Sequence, residues 1–128
     1  MKPNQPMNIQ ETIDAVRAWG IAKGITGPTG KGTLLGQLSK TQEELTETRD
    51  AAVSHSFLLP RHDDDDLSLA FDVAKADLID GIGDCAVTLI LAAEMAGLRF
   101  EDCLAFAYDE IKGRTGTMTG GQFVKDKP

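Results

Sequence analysis

"DGIGDCAVTLILAAEMAGL", residues 80–98, is the stretch that decides the fold of this chain. Its middle part, residues 85–93, is apolar on almost every side of a helix, which is typical of a helix buried at the centre of a domain. We predict that this helix runs from about residue 67 to 96. It should end at Gly97, because glycine commonly terminates helices.

Apolar residues elsewhere in the chain recur at helical spacing, and no stretch shows the alternation of a strand. The predicted helices span about residues 8–23, 34–53, 67–96 and 100–112. Pro60 and the aspartates after it prevent the second and third from forming one continuous helix. We assign no regular structure to the glycine-rich tail, residues 113–128. The sequence therefore predicts an all-α, four-helix bundle made of a single domain, residues 1–128.

The composition excludes several classes of protein. The 128 residues carry a formal net charge of −7, which argues against a nucleic-acid duplex as partner, because duplexes are bound by clustered Lys and Arg. The longest apolar run is far shorter than the roughly 18 residues of a membrane span, and we find no secretion signal. We expect a cytoplasmic protein without a membrane partner, in the host cytoplasm if a phage encodes it. Cys85 and Cys103 are predicted to be small buried residues in a reducing compartment.

"GITGPTGKGT", residues 24–33, looks like a phosphate-binding P-loop but fails the spacing test. A P-loop needs a glycine five residues before its Gly-Lys pair and a Ser or Thr directly after the lysine. Ile25 and Gly32 occupy those two positions here, and the segment before the loop has helical rather than strand periodicity. We therefore interpret the stretch as a glycine-rich connection between two helices.

The run "DDDD", residues 63–66, allows two interpretations. Carboxylates at the start of a helix cap free N–H groups and suit the positive end of the helix dipole. The alternative is an accessory cation site. His55 and His62, on either side of Pro60, are interpreted as loop residues without a catalytic role.

Carboxylates recur on one face of each of the two longest predicted helices. They are Glu43, Glu44 and Glu47 on the second helix, and Asp77, Asp80 and Asp84 on the third. Their spacings of three and four residues place them on common helix faces. A solvated charged surface is one interpretation. Acidic faces beside an apolar centre favour the other, a site for a cation, because uncompensated carboxylates near a buried surface are destabilising.

The ligand types select the cation. A site built from carboxylate oxygens favours Mg²⁺, Mn²⁺ or Ca²⁺, whereas zinc or copper would require His or Cys. A di-iron bundle would need Glu three residues before His, and Ala52 and Leu59 stand at those positions. Gly81 and Gly83 lie beside the aspartates of the third helix and indicate a close approach by another helix or a ligand, or a bend there.

Four segments in order resemble the all-α, MazG-type nucleotide pyrophosphohydrolases, in particular their short single-domain phage and bacterial members. The segments are "AWGIAKGI" (18–25), "GQLSKTQEELTE" (36–47), "DGIGDCAVTLILAAEMAGL" (80–98) and "EDCLAFAYDEIKGRTGTM" (101–118), with "GQFVKD" (121–126) closing the match. The second segment has the spacing Q-x-x-K-x-x-E-E-x-x-E. The order and spacing of the segments carry the resemblance, since each is weak alone.

The resemblance implies a Mg²⁺-dependent enzyme, with Mn²⁺ as a substitute, that converts a nucleoside triphosphate and water to the monophosphate and pyrophosphate. The implied metal ligands are Glu44, Glu47, Asp80 and Asp84. The family's second motif, E-x-x-D, would place a Glu at position 81, where this chain has Gly81. Asp80, one turn before Asp84, takes its place in our assignment, and Asp77 is the reserve candidate.

Further roles follow from the same resemblance. Glu43 or Glu47 would orient or deprotonate the attacking water, and the sequence does not choose between them. The candidate substrate-binding residues are Trp19, Gln37, Lys40, Tyr108, Lys112 and Arg114. Lys40 would pair with an acid or reach the phosphates, and Trp19 would stack on the base or anchor the first helix. Lys112 and Arg114 would clamp the phosphates or simply suit a helix C-terminus.

Family members generally assemble, so we expect a dimer or a tetramer, with a site at or near the interface and a role in housecleaning of the nucleotide pool. Two alternatives remain. One is an enzyme like phosphoribosyl-ATP pyrophosphohydrolase, which has a related fold. The other is a noncatalytic helical adaptor whose acidic faces bind a basic partner. Only an enzyme should lose its function in a chelator, whereas binding by the adaptor should weaken with salt.

Overall fold

The computed structural model describes residues 6–127, which form four helices and one small antiparallel sheet. The helices are α1 (Ile9–Ala22), α2 (Leu34–Leu58), α3 (Ser68–Met95) and α4 (Phe100–Ile111), and the strands are β1 (Gly116–Thr119) and β2 (Gln122–Lys125). The mainly helical prediction is therefore confirmed, apart from the sheet. The outer ends of the predicted domain and tail, residues 1–5 and 128, lie outside the described residues.

Side chains cap the first two helices where the sequence places short polar residues. Asn8 Oδ1 accepts the backbone N–H of Glu11 at 2.8 Å, and Thr33 Oγ1 accepts that of Gly36 at 3.0 Å. These caps satisfy N–H groups that have no partner within the helix. They fix the start of α1 and the point at which the glycine-rich loop ends.

The predicted cap of α3 by the aspartate run is wrong. Within residues 6–127, α3 begins after Leu67 without a side-chain cap. The run lies in the turn before the helix, where Asp64 Oδ1 accepts the N–H of Asp66 at 2.9 Å. Aspartates readily stabilise such turns by bonding to backbone two residues on. The local turn uses Asp64 in this way before the helix starts.

α2 is longer than the predicted helix, which ended near residue 53. It continues to Leu58, and a 3₁₀ turn, Leu59–Arg61, extends it. Pro60 lies at the start of that turn, where its missing N–H removes no hydrogen bond. The helix gains a last turn because Leu58 is buried against the rest of the structure.

The antiparallel pair of α2 and α3 forms the centre of the structure, and its seam is built from small and polar residues. Thr41 Oγ1 lies 2.8 Å from Thr88 Oγ1, and Thr48 Oγ1 lies 3.6 Å from Cys85 Sγ. Gly81 is buried where it meets Thr48. Small residues at such contacts allow two helix backbones to approach closely. The close approach predicted from Gly81 is therefore an approach by α2.

α1 covers the C-terminal half of α3. Leu91 is fully buried, and a Cβ added at Gly20 would lie 2.5 Å from Leu91 Cδ2, so a glycine is needed where α1 crosses. Arg17, whose side chain is only 11% exposed, donates to Glu94 of α3 at 2.7 Å and also to Glu101 of α4. One guanidinium thus ties three helices together.

The tail forms a β-hairpin that the sequence reasoning missed. β1 pairs with β2 in antiparallel register, with Met118 opposite Phe123. Gly120 and Gly121 both have positive φ, at 59° and 78°, as the two-residue turn of a hairpin requires. The pair Gly-Gly between "TMT" and "QFV" is the signal that identifies such a hairpin. The assignment of no regular structure to the tail is therefore wrong for residues 116–125.

Large apolar side chains lie on the outside of the α2–α3 pair. Leu45 is 59% exposed and Ile82 is 58% exposed. Cys103 is also exposed, so its predicted burial is wrong, whereas Cys85 is partly buried. No single helix within residues 6–127 has the length and hydropathy of a membrane span, although α3 and α4, bent by 103°, pass that test when taken together.

Gly81 and Gly83, two positions apart in the same turn of α3, provide a matched test of the seam. A Cβ at Gly81 would overlap Thr48 Oγ1 and lie 3.2 Å from Thr48 Cα, whereas one at Gly83 would meet no described atom within 4 Å. We expect Gly81→Ala to destabilise the protein by about 1–3 kcal/mol through overpacking. Gly83→Ala should stabilise it by about 0.5–1 kcal/mol through helix propensity.

Urea unfolding of both variants checks this expectation. Equal midpoints for the two variants would contradict the close approach of α2 at Gly81. Thr48→Ala, which removes the Oγ1 atom that the added Cβ would overlap, should recover part of the loss in the Gly81→Ala background.

Candidate functional site

An open groove of about 910 Å³ lies along α2 and α3. Its lining residues are Glu47, Asp50, Ala51, Ser54, Leu58, Asp66, Leu69, Ala70, Val73, Ala74, Asp77, Asp80, Gly81 and Asp84. Because the helices are antiparallel, Glu47 and Asp84 mark one end of the groove, and Leu58 and Leu69 mark the other. The first end is rich in carboxylates. The second is mainly apolar and has one carboxylate among its lining residues, Asp66.

Glu44 lies in the seam next to the acidic end of the groove. Its side chain is only 12% exposed, and it follows Thr41 by three residues on the face of α2 that meets α3. A carboxylate in this position needs a compensating charge. Lys40 supplies it, with Nζ 3.3 Å from Glu44 Oε1 and 3.0 Å from Glu43 Oε1.

The surroundings of Asp84 disfavour the charged form of its carboxyl group. Partial burial raises the pKa of Asp84 above its usual value, and the nearby charges of Asp80 and Glu44 raise it further, while Lys40 acts in the opposite direction. The hydrogen bonds of Lys40 to Glu43 and Glu44 raise the pKa of the lysine. Carboxylates of both helices therefore influence each other across the seam.

The chemistry of these donors fits a hard divalent cation, because every candidate ligand is a carboxylate oxygen. An added positive charge would also relieve the repulsion at Asp84. The candidate ligands do not converge on one point. Within residues 6–127, no three Asp, Glu, His or Cys side chains lie close enough together to hold a metal ion. Glu44 is instead engaged by Lys40.

The structure brings together only part of the predicted site. Glu47, Asp80 and Asp84 line the groove, as does the reserve candidate Asp77, and Glu43, Glu44 and Lys40 form a cluster beside it. The other predicted substrate residues, Trp19, Gln37, Tyr108, Lys112 and Arg114, do not line the groove. Trp19 and Tyr108 are exposed on α1 and α4, Gln37 is half-buried on α2, and Lys112 pairs with Asp109 at 2.5 Å.

The glycine-rich loop binds its own backbone. The N–H groups of Gly30, Lys31 and Gly32 donate to the carbonyl oxygens of Gly27, Gly24 and Ile25 at 2.9–3.0 Å. A P-loop would point these N–H groups at a phosphate. The interpretation of residues 24–33 as a helix connection is consistent with this bonding.

Sequence reasoning missed the apolar part of the groove. Ser54, Leu58, Leu69 and Val73 lie beyond the carboxylates on the same two helices. Spacing along one helix shows which residues share a face. It does not show which residues of a second helix stand opposite, and no motif in the chain marks that register.

Three comparisons of the chain, with protein-family models, with curated proteins and with solved structures, found no match.

The environment of Asp84 predicts that its charge destabilises the metal-free protein. Because the pKa of Asp84 is raised in the folded state, its contribution to stability is present at low pH and is lost as the pH rises through that pKa. Asp84→Asn should therefore be more stable than the wild type at pH 7, by less than about 1 kcal/mol because solvent screens the group. The difference should shrink near pH 3.

Urea unfolding in EDTA at both pH values measures the effect. Asp65→Asn, in the exposed turn before α3, is the control for the change in net charge. A stability gain at Asp65 equal to that at Asp84 would show that overall charge, and not the carboxylate cluster, is responsible.

Proposed function

We propose that this chain is a Mg²⁺-dependent nucleoside triphosphate pyrophosphohydrolase, which cleaves the bond between the α and β phosphates and acts in control of the nucleotide pool. The observation that carries the proposal is the division of the α2–α3 groove into a carboxylate-rich end and a mainly apolar end. A nucleoside triphosphate is divided in the same way. Its phosphate chain binds cations, and its base is flat and largely apolar.

The dimensions of the groove support such a ligand. Its volume of about 910 Å³ lies within the range of small-molecule sites, roughly 300–1,000 Å³. Leu58, Leu69 and Val73 offer apolar contacts for a base, and the Ser54 hydroxyl offers a hydrogen bond between the two ends. No lysine or arginine within residues 6–127 lines the groove, so cations are needed at the acidic end if phosphates bind there.

Glu44, Glu47, Asp80 and Asp84 are the residues that would hold Mg²⁺, or Mn²⁺ in its place. When bound, the cation would neutralise phosphate charge and lower the pKa of a water molecule bound to it. The choice of general base falls on Glu47, which lines the groove. Glu43 is 58% exposed and pairs with Lys40, so its carboxylate is already engaged. In this proposal the Glu47 carboxylate orients the attacking water or takes its proton.

The reaction is tested by pyrophosphate release from the eight common ribo- and deoxyribonucleoside triphosphates with Mg²⁺, with and without EDTA. We expect EDTA to abolish release. Glu44→Gln should lower release by on the order of a hundredfold or more, because it removes a charged ligand. The same panel identifies the preferred base and sugar.

Glu110→Gln, an exposed change on α4, is the matched control and should leave the rate unchanged. Release that persists in EDTA, or that survives in Glu44→Gln, would contradict a carboxylate-bound cation.

We further propose that the chain works as a dimer or a tetramer, in a bundle similar to that of MazG-type enzymes. The seam between α2 and α3 is polar, whereas Leu38, Leu45, Ile82 and Leu89 are exposed. Helical spacing puts these four residues on the side of the pair opposite the groove. Exposed apolar stripes of this kind are typical of interfaces, and a second copy carries the same stripe.

Ile82→Glu should dissociate this assembly, because it puts a charge at the centre of the proposed interface. Sedimentation velocity measures the mass, and Met118→Glu on the exposed face of the hairpin is the control. A wild-type protein that is monomeric at tens of micromolar would contradict the assembly without bearing on the groove.

A noncatalytic adaptor is the second candidate, and the carboxylates of the groove favour it. Six of the lining side chains are Asp or Glu, which suits a basic peptide. Such binding would weaken with salt and would be indifferent to EDTA. The assay with chelator therefore separates the two functions.

A further inference from the structure

Lys40 is the one cation that contacts the carboxylate cluster directly among the described residues. Its ammonium bridges Glu43 at 3.0 Å and Glu44 at 3.3 Å, and its charge also acts on Asp84. The lysine side chain is 48% exposed, whereas Glu44 is 12% exposed. The negative partner is thus fixed in the seam, and the positive partner is a flexible chain at its edge.

We propose that Lys40 is a displaceable counter-ion, which neutralises the cluster when no divalent cation is bound and is released toward the substrate phosphates when one binds. This inference rests on the proposed function, because it takes Glu44 as a ligand of the cation. It adds a mechanism that regulates the site. The cation and the lysine compete for the same carboxylate, and binding of the cation frees the ammonium to contact the nucleotide.

Charge and geometry support the exchange. The Glu44 oxygen that is bonded to Lys40 has to exchange the ammonium for the cation before it becomes a ligand. A divalent cation next to this oxygen also repels the ammonium. Lys40 lies one turn before Glu44 on α2, and its four-carbon stem allows the ammonium to move while the backbone stays in place. Release of the ammonium costs little, because half of the side chain already faces water.

The nearest destination for the released ammonium is the phosphate chain of the substrate. Lys40, Glu44 and Glu47 repeat at helical spacing along α2, so the lysine lies beside the carboxylate end of the groove, next to the place where the phosphates are proposed to bind. The loss of Lys40 should therefore have opposite effects on the two ligands. Binding of the cation should tighten, and binding of the nucleotide in the presence of saturating cation should weaken.

Lys40→Met tests this, because methionine keeps an unbranched side chain and removes the charge. Mn²⁺ alone is the probe, titrated without nucleotide and followed by electron paramagnetic resonance of the free ion. We expect Lys40→Met to bind Mn²⁺ about three- to tenfold more tightly than the wild type. Lys40→Gln should behave in the same way, and Lys40→Arg should show no gain.

Lys23→Met at the end of α1 makes the same change in net charge away from the cluster, and it should leave the affinity for Mn²⁺ unchanged. The second readout is binding of a nonhydrolysable α,β-methylene nucleoside triphosphate at saturating Mn²⁺. We expect weaker binding in Lys40→Met than in the wild type. A merely structural lysine would not move the two affinities in opposite directions.

The outcomes separate this inference from the proposed function. Unchanged or weaker Mn²⁺ binding in both Lys40→Met and Lys40→Gln, with a wild type that binds Mn²⁺, overturns the displacement and leaves the enzyme proposal standing. Equal tightening in Lys23→Met also overturns it, since net charge would then explain the gain. Failure of the wild type and of both variants to bind Mn²⁺ overturns the cation site together with the displacement.

Discussion

The contact between α2 and α3 at Gly81 is the constraint on which the candidate site depends. Because Gly81 has no side chain, Thr48 packs against its backbone, and the carboxylates of both helices come close enough to influence one another. A larger residue there would push the helices apart along the whole groove. Asp80, the candidate ligand on this turn of α3, lies one residue from the contact.

The same seam reverses the usual distribution of residues in a helix pair. Threonine hydroxyls, a glycine and a nearly buried glutamate lie between the helices, while Leu38, Leu45, Ile82 and Leu89 are exposed. Ordinary packing would place the apolar residues inside. The reversal is understandable if the inner face serves a polar ligand and the outer face serves association. Formation of the site and assembly would then use opposite sides of the same two helices.

The sequence predicted what depends on spacing within one helix. The acidic faces of α2 and α3 follow from repeats of three and four, and Glu47, Asp80 and Asp84 do line one groove. Sequence reasoning failed where the structure depends on contacts between two separate segments of the chain. The apolar half of the groove depends on which part of α3 stands opposite Leu58, and the hairpin depends on pairing across Gly120 and Gly121. The threonines of the seam, Thr41, Thr48 and Thr88, were also missed, because hydrophobic periodicity does not detect polar residues at a helix contact.

Arg17 and Lys40 compensate carboxylate charge in two different ways. Arg17 is 11% exposed and contacts three carboxylates with a rigid, planar group, so its removal would leave several charges without a partner at a junction of three helices. Lys40 contacts two carboxylates with a single mobile ammonium and is 48% exposed. Arginine suits a fixed ion pair, and lysine suits a contact that has to be broken. The junction that holds α1 and α4 to α3 thus needs a guanidinium, whereas a cluster that is to accept a cation needs a counter-ion able to leave.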